Sequence, residues 1–321
     1  MGKILVTGGA GFIGQRLAEV LCERGHEVRV LDLVATHESV FSNPEFRKAV
    51  RVFPGSILDA NFVSQAMRGC DTVVHLAARL GVKRTETNPL ACLNINIEGT
   101  VNILEACVKE RVGKIVSASS SEVYGNTPDI PLSETSPLNP VSVYAASKIA
   151  GEEYVKAYAA RYGMKFSIVR FFNVYGLGQV AEFVLPRFAK RVLDGKPPVI
   201  YGDGSQTRAF CNVDDLVEGI IRTIDNPAGD DQIFNIGNPT EPVSMKELAE
   251  RVISIAGLKL EPIFVKMEES DRSMIREIFK RIPDISKARE LLGYEPRVDL
   301  GTGIRRVLEH GNIVESWYEP L

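Results

Sequence analysis

The sequence predicts an α/β protein, a doubly wound parallel sheet followed by a smaller mixed α/β lobe. Three observations predict it. Short apolar runs alternate with segments of helical apolar spacing through the first half of the chain. The strand-like runs are apolar almost without interruption, as in strands covered on both faces. A glycine-rich turn, TGGAGFIG at residues 7–14, joins the first strand to the first helix.

The elements follow in order. Lys3–Thr7 reads as a strand, Ile13–Arg24 as a helix and Glu27–Asp32 as a strand, with further strands at Val50–Phe53 and Asp71–Leu76. Leu93–Lys109 carries apolar residues at 93, 97, 101, 104 and 108, the spacing of one helical face. Lys114–Ser119 is a strand, Tyr144–Tyr162 a helix and Phe166–Phe171 a strand. Right-handed crossovers between such units give the doubly wound arrangement. Past Phe172 the rhythm changes. Prolines and glycines crowd 173–204, around a helix at Glu182–Leu193. A helix at Asp214–Asp225 and a strand at Gln232–Ile236 read as one more unit of the sheet, and helices at Ser244–Ala256 and Ile285–Leu292 follow.

Composition narrows the function classes. The chain has 321 residues, 45% hydrophobic and 25% charged, the balance of an ordinary globular protein. A net charge of −3 gives no basic excess, so no nucleic-acid partner is expected. No run of 18 apolar residues occurs, so no membrane span is expected. The chain opens MGKILVTGG, straight into a strand without a leader pattern, and reads as cytoplasmic. Cys22, Cys70, Cys92, Cys107 and Cys211 form no CxxC pair and read as free thiols. The four histidines form no HxH or HxxxH pair, so no metal site is expected.

The glycine turn holds Gly9-x-Gly11-x-x-Gly14 and, overlapping it, Gly8-x-x-Gly11-x-x-Gly14, between a strand and a helix. Asp32 ends the next strand, eighteen residues after Gly14. This is the context a dinucleotide fingerprint requires. Glycines let backbone amides approach a pyrophosphate, and the helix N-terminus adds partial positive charge. An aspartate at that strand end accepts from the adenosine ribose hydroxyls and repels a 2′-phosphate, which favours NAD over NADP. The expected organisation is an NAD-binding Rossmann domain at 1–172, with a return segment near 212–238, and a substrate-binding lobe at 173–321.

Tyr144-Ala-Ala-Ser-Lys148 puts a phenol and an ammonium on one helical face. It follows a strand ending in Ser119-Ser120-Ser121. With TGGAGFIG, Asp32, GSILD at 55–59, HLAA at 75–78, NIEGT at 96–100, SSSEVYG at 119–125, RFFNVYG at 170–176 and YGDGSQTRAF at 201–210, the whole chain resembles the extended short-chain dehydrogenase/reductases, specifically the NAD-dependent sugar-nucleotide epimerase/dehydratase family. The resemblance implies catalytic roles for Ser120, Tyr144 and Lys148. It implies cofactor contacts from Gly8, Gly11, Phe12, Ile13, Gly14, Asp32, Ile57, Asp59 (at the adenine), Leu76, Ala77, Ala78, Asn96, Tyr144 and Lys148, and Asn96 also resembles the family's helix-distorting asparagine near the active site. It further implies that Asn173 and Arg208, with Arg272 or Arg276, hold the diphosphate of a nucleotide sugar, a task that suits the planar donors of arginine. His75 reads as a packed strand-end residue. The resemblance further implies a homodimer in which the two long helices at 93–109 and 144–162 pair.

A free tyrosine, with a pKa near ~10, is a weak base at neutral pH. A nearby Lys148 ammonium and a positive nicotinamide both favour its phenolate, which then takes a proton from a sugar hydroxyl while Ser120 holds the oxygen. Family members share the first oxidation and then diverge. The segment Ser120-Ser121-Glu122 lacks the aspartate of the hexose 4,6-dehydratases but keeps an acid, so Glu122 is a further catalytic candidate and resembles the uronate decarboxylases. RFFNVYG and SVYAASK resemble the epimerases. The expectation is a UDP-hexose 4-epimerase working through a transient keto-sugar. The alternatives are a decarboxylase or dehydratase of the same family and, more remotely, a cofactor-sensing protein without catalysis.

Overall fold

The computed structural model describes residues 1–33, 46, 49–269, 278–311 and 313. Seven parallel strands form the main sheet: β1 (Lys3–Thr7), β2 (Glu27–Asp32), β3 (Val50–Pro54), β4 (Thr72–His75), β5 (Lys114–Ser120), β6 (Lys165–Phe171) and a late strand, Gln232–Ile236. Across the sheet the order is Gln232–Ile236, β6, β5, β4, β1, β2, β3. The winding reverses between β1 and β4, and a crevice opens beyond the carboxyl ends of these two strands, where open α/β sheets bind ligands.

Successive residues of each strand point to opposite faces, and both faces are apolar. Ile4, Val6, Val28, Val30, Val74, Val116 and Val169 pack with the helices Phe12–Glu23 and Val213–Asp225 on one side. Leu5, Leu31, Val73, Ile115 and Ile168 pack on the other side with Ala60–Met67, Gly99–Glu110 and Val143–Tyr162. Each fully buried aliphatic side chain contributes roughly 1.5–3 kcal/mol. The expected near-continuous apolar strands are therefore the sheet's two-sided core.

The expected helix at 93–109 proves to be a composite. It begins at Pro89, capped by Asn88, runs to Leu93, widens into a π-helical turn over Asn94–Glu98 and resumes as Gly99–Glu110. The widened turn is tied down by its asparagine: Asn96 Oδ1 accepts from Arg79 N at 2.7 Å and Asn96 Nδ2 donates to Arg79 O at 3.1 Å.

Beyond the sheet, the helices Val184–Leu193, Met245–Ile255 and Leu300–His310 enclose a separate core with Tyr175, Phe188, Ile200, Leu248 and Ile304 at its centre. Short strands frame its edge facing the crevice. β7 (Thr207–Ala209) lies between Pro242–Ser244 and β8 (Lys280–Arg281), and Val199–Tyr201 pairs with Ile263–Val265.

Candidate active site

A cavity of roughly 880 Å³ runs from the crevice into the second lobe. Its wall at the sheet end is the glycine turn. Gly8 has φ +69°, and a Cβ there would stand 2.8 Å from Ala77 N. A Cβ on Gly14 would stand 2.1 Å from Gly8 O. These positions therefore exclude any larger residue. The helix starting at Phe12 has Gly11 as its N-cap and no side-chain cap, so its first amides face the cavity free of side-chain acceptors. Such a helix start attracts a phosphate anion. Asp32 stands at the end of β2 on the same wall, with Oδ2 accepting from Ala10 N at 3.0 Å. An anion cradle beside a carboxylate fits the diphosphate and the adenosine ribose of NAD, which Gly8, Gly11, Phe12, Ile13, Gly14 and Asp32 would hold.

Ile57, Leu76, Ala77 and Ala78 line the same wall. Two other expected cofactor residues stand elsewhere. Asp59 is exposed and caps the helix Ala60–Met67, accepting from Phe62 N at 2.9 Å, while its neighbours Ser56 and Ile57 face the cavity. Asn96 lies behind the wall and acts on it through Arg79.

Ser120, Tyr144 and Lys148 meet on the wall where β5 ends beside the helix Val143–Tyr162. Ser142 caps that helix, accepting from Ala145 N at 3.0 Å, and so sets its first turn against the strand end. Ser120 Oγ accepts from Glu122 N at 3.2 Å. Lys148 Nζ donates to Ala118 O at 2.9 Å and stands 5.8 Å from the Tyr144 ring centre. Burial lowers the Lys148 pKa to about 8. Burial, and then the Glu122 charge, raise the Tyr144 phenol well above its usual range, against the opposing hydrogen bond from Ser120. Without ligand the phenol is thus protonated, and a cation beside it is needed to release the proton.

Behind these residues Glu152, one turn beyond Lys148, forms a buried fork with Arg170 at 2.6 and 2.9 Å. Ser119 Oγ donates to the same carboxylate at 2.5 Å. One charge pair therefore fixes the strand end and the catalytic helix together. The spacing Lys148-x-x-x-Glu152 is its trace in the sequence.

In the second lobe Asn173 adopts φ +38°, a left-handed conformation that asparagine tolerates, and donates from Nδ2 to Ala209 O at 3.1 Å. Arg208 is buried on the cavity wall and donates to Thr207 O and Phe279 O. Directly opposite it on β8 stands Arg281, also buried and also on the wall. Arg281 was not among the expected site residues. Its sequence cue was slight, a single arginine ahead of Ile-Pro-Asp. Arg272 and Arg276 lie outside the described residues. Glu122 completes this corner, with Oε1 3.8 Å from Arg281 Nη2 and Oε2 accepting from Ser142 Oγ at 3.2 Å. Among the described residues no group of three or more histidine, cysteine or acidic side chains is placed to hold a metal, and no helix is long and apolar enough to cross a membrane.

A dinucleotide cradle, a Ser–Tyr–Lys centre and buried arginines on one cavity define a nicotinamide-dependent enzyme of the short-chain dehydrogenase type. Comparison with known proteins supplies the family. The model of the NAD dependent epimerase/dehydratase family matches residues 4–237. A putative UDP-glucose 4-epimerase of Methanocaldococcus jannaschii is 36% identical, covering 95% of this chain and 97% of its own. The UDP-N-acetyl-alpha-D-glucosaminuronate decarboxylase of Bacillus cytotoxicus is 35% identical, covering 98% and 99%. The crystal structure of Thermus thermophilus UDP-glucose 4-epimerase in complex with NAD superposes with a TM-score of 0.86 at 33% identity, covering 96% and 98%. The chain belongs to the NAD-dependent epimerase/dehydratase family, whose members are sugar-nucleotide epimerases, decarboxylases and dehydratases, and NAD is its cofactor.

Proposed function

We propose that the protein is a nucleotide-sugar 4-epimerase acting on a UDP-hexose. The observation that carries this reading is the convergence of Ser120, Tyr144 and Lys148 on the cavity that the glycine turn opens into. NAD, when bound, would supply the acceptor and donor of the hydride that the reaction moves. The chain's own residues do the rest. Tyr144 accepts the hydroxyl proton and later gives it back, Ser120 holds the oxygen, and the Lys148 ammonium favours the phenolate. Arg208, with Arg281 opposite, faces the diphosphate, and Asn173 shapes the turn between them and the cofactor. The roomy cavity suits a reaction in which the keto-sugar must turn over between the two hydride transfers. Incubation with UDP-, dTDP- and GDP-sugars, with product analysis, tests the reading. Interconversion of UDP-glucose and UDP-galactose is expected, and loss of carbon dioxide or water without epimerisation would overturn it.

One observation favours a second reading, decarboxylation of a UDP-uronate. Glu122 and Arg281 face each other beside the catalytic triad, although epimerisation needs no carboxylate. A uronate carboxylate is the group that a buried arginine there would recognise.

We further propose a homodimer built on the helices Gly99–Glu110 and Val143–Tyr162. Tyr154 and Tyr162 are exposed on the second of these, a position that suits burial against a symmetric copy. Sedimentation should give twice the chain mass at micromolar concentration.

A further inference from the structure

A run of hydrogen bonds leads from the glycine turn to the helix of Tyr144 and Lys148, and every proton in it can be assigned. Thr7 Oγ1 accepts from Ala77 N at 3.2 Å and lies 2.7 Å from His75 Nδ1. The other ring nitrogen, His75 Nε2, lies 3.1 Å from Thr100 Oγ1, which donates to Asn96 O at 2.6 Å. Asn96 Nδ2 donates to Ser147 Oγ at 2.9 Å, and Ser147 Oγ donates to Tyr144 O at 2.7 Å.

A hydroxyl carries a single hydrogen. Thr100 has given its own to Asn96, so it accepts from His75, and Nε2 bears the ring proton. Nδ1 is therefore bare and accepts the Thr7 hydrogen, which leaves the Thr7 oxygen for Ala77. Ser147 likewise gives its hydrogen to Tyr144 and accepts from Asn96. Reversing a link sets two acceptors or two donors against each other. All five side chains are buried, so water cannot make good a broken link. The first link is at the cofactor: Ala77 lines the cavity, and its nitrogen is the atom closest to where Gly8 would carry a Cβ.

We propose that His75, neutral and in its Nε2–H tautomer, is a positioning residue that couples the seating of the NAD loop to the seating of the Tyr144–Lys148 helix. Burial supports the neutral state, holding the imidazole down at about 3, with the Lys148 ammonium acting in the same direction. A protonated ring would turn a second donor on Thr7, whose own hydrogen would then lose the acceptor it has at Nδ1. The coupling is a property of the cofactor site, which the nature of the sugar does not affect.

The test is titration of the apo protein with NAD+ alone. Thr7→Val, Thr100→Val and Ser147→Ala should each weaken NAD+ binding by about fivefold, the lower range of site-to-site coupling. Ser147 is the telling position, because it does not line the cavity. The double variant Thr7→Val with Ser147→Ala should lose no more than the worse single one, whereas independent sites multiply. His75→Gln, whose amide can accept from Thr7 and donate to Thr100, should bind like the parent, and His75→Leu should not. Melting of the apo variants and of the control Thr100→Ser shows that each is folded. Ring ¹⁵N resonances should report a protonated Nε2 and a bare Nδ1. Unchanged NAD+ affinity in Ser147→Ala, multiplying losses in the double variant, or a protonated Nδ1 would each overturn the proposal.

Discussion

Glu122 and Arg281 face each other across the cavity corner, carboxylate to guanidinium at 3.8 Å, with Ser142 bonded to the other carboxylate oxygen. This acid also raises the Tyr144 phenol, so it works against formation of the phenolate unless a cation or a proton offsets it. A pure epimerase gains little from such a neighbour. Glu122→Gln therefore separates the two functional readings. In an epimerase the variant should keep turnover within a few-fold of the parent, or exceed it as the phenolate becomes easier to form. In a decarboxylase the variant should accumulate reduced nicotinamide with little product. Absorbance of the reduced cofactor, followed with a UDP-hexose and with a UDP-uronate, reads both outcomes.

Tyr144→Phe keeps the ring and removes the proton acceptor. NAD content should stay at the parent level while turnover falls by about 10²–10⁴. In the parent, activity should fall as the pH rises through about 8, where Lys148 loses the ammonium that favours the phenolate. A profile flat to pH 9.5 would show that this ammonium plays no such part.

The legible parts were those in which a local pattern and the tertiary structure ask for the same residues. Strand Gln232–Ile236 sits where its apolar run places it, and β1, β2 and the glycine turn follow from period and punctuation alone. The helix Leu300–His310 was missed although Asp299 caps it through Thr302 N, because its apolar residues (Leu300, Ile304 and Val307) lie among glycines and arginines. Helix Ala60–Met67 is not legible in the sequence although Asp59 caps it, because it is only eight residues long and two of its four buried positions are Ser64 and Ala66. The π-helical turn at Asn94–Glu98 leaves no mark in spacing, as its cause is a contact with Arg79 on another loop. Arg281 was illegible for a similar reason. Nothing local distinguishes it from Lys280, and only the pairing of β8 with β7 brings it beside Arg208.

We propose that Asp32 selects NAD over NADP. Its carboxylate is held at the cavity wall by Ala10 N, where it would meet a 2′-phosphate with like charge. NAD+ should bind more tightly than NADP+. Asp32→Ala should weaken NAD+ by about tenfold through the loss of charge-assisted bonds. Adding Leu33→Arg, on the same wall, should invert the preference. Competition binding of the two dinucleotides measures this, and tighter NADP+ binding by the parent would refute it.

The His75 ring makes the apo fold acid-sensitive in a defined window. Its partners are the Thr7 and Thr100 hydroxyls, and the charge that acts on it is the Lys148 ammonium. Folded, it titrates at about 3; unfolded, at about 6.5. Between these values the unfolded chain binds the extra proton, so the contribution is fully present above pH 6.5 and is lost as pH falls toward 3. One proton is worth about 1.4 kcal/mol per pH unit in this window. His75→Gln has no such proton to bind. Its unfolding free energy, from urea titrations at pH 6.5, 5.5 and 4.5, should fall by about 1 kcal/mol less per unit than that of the parent. Parallel slopes would mean that the parent ring takes up its proton without unfolding, and the assignment of His75 as a neutral ring across this range would fall with that result.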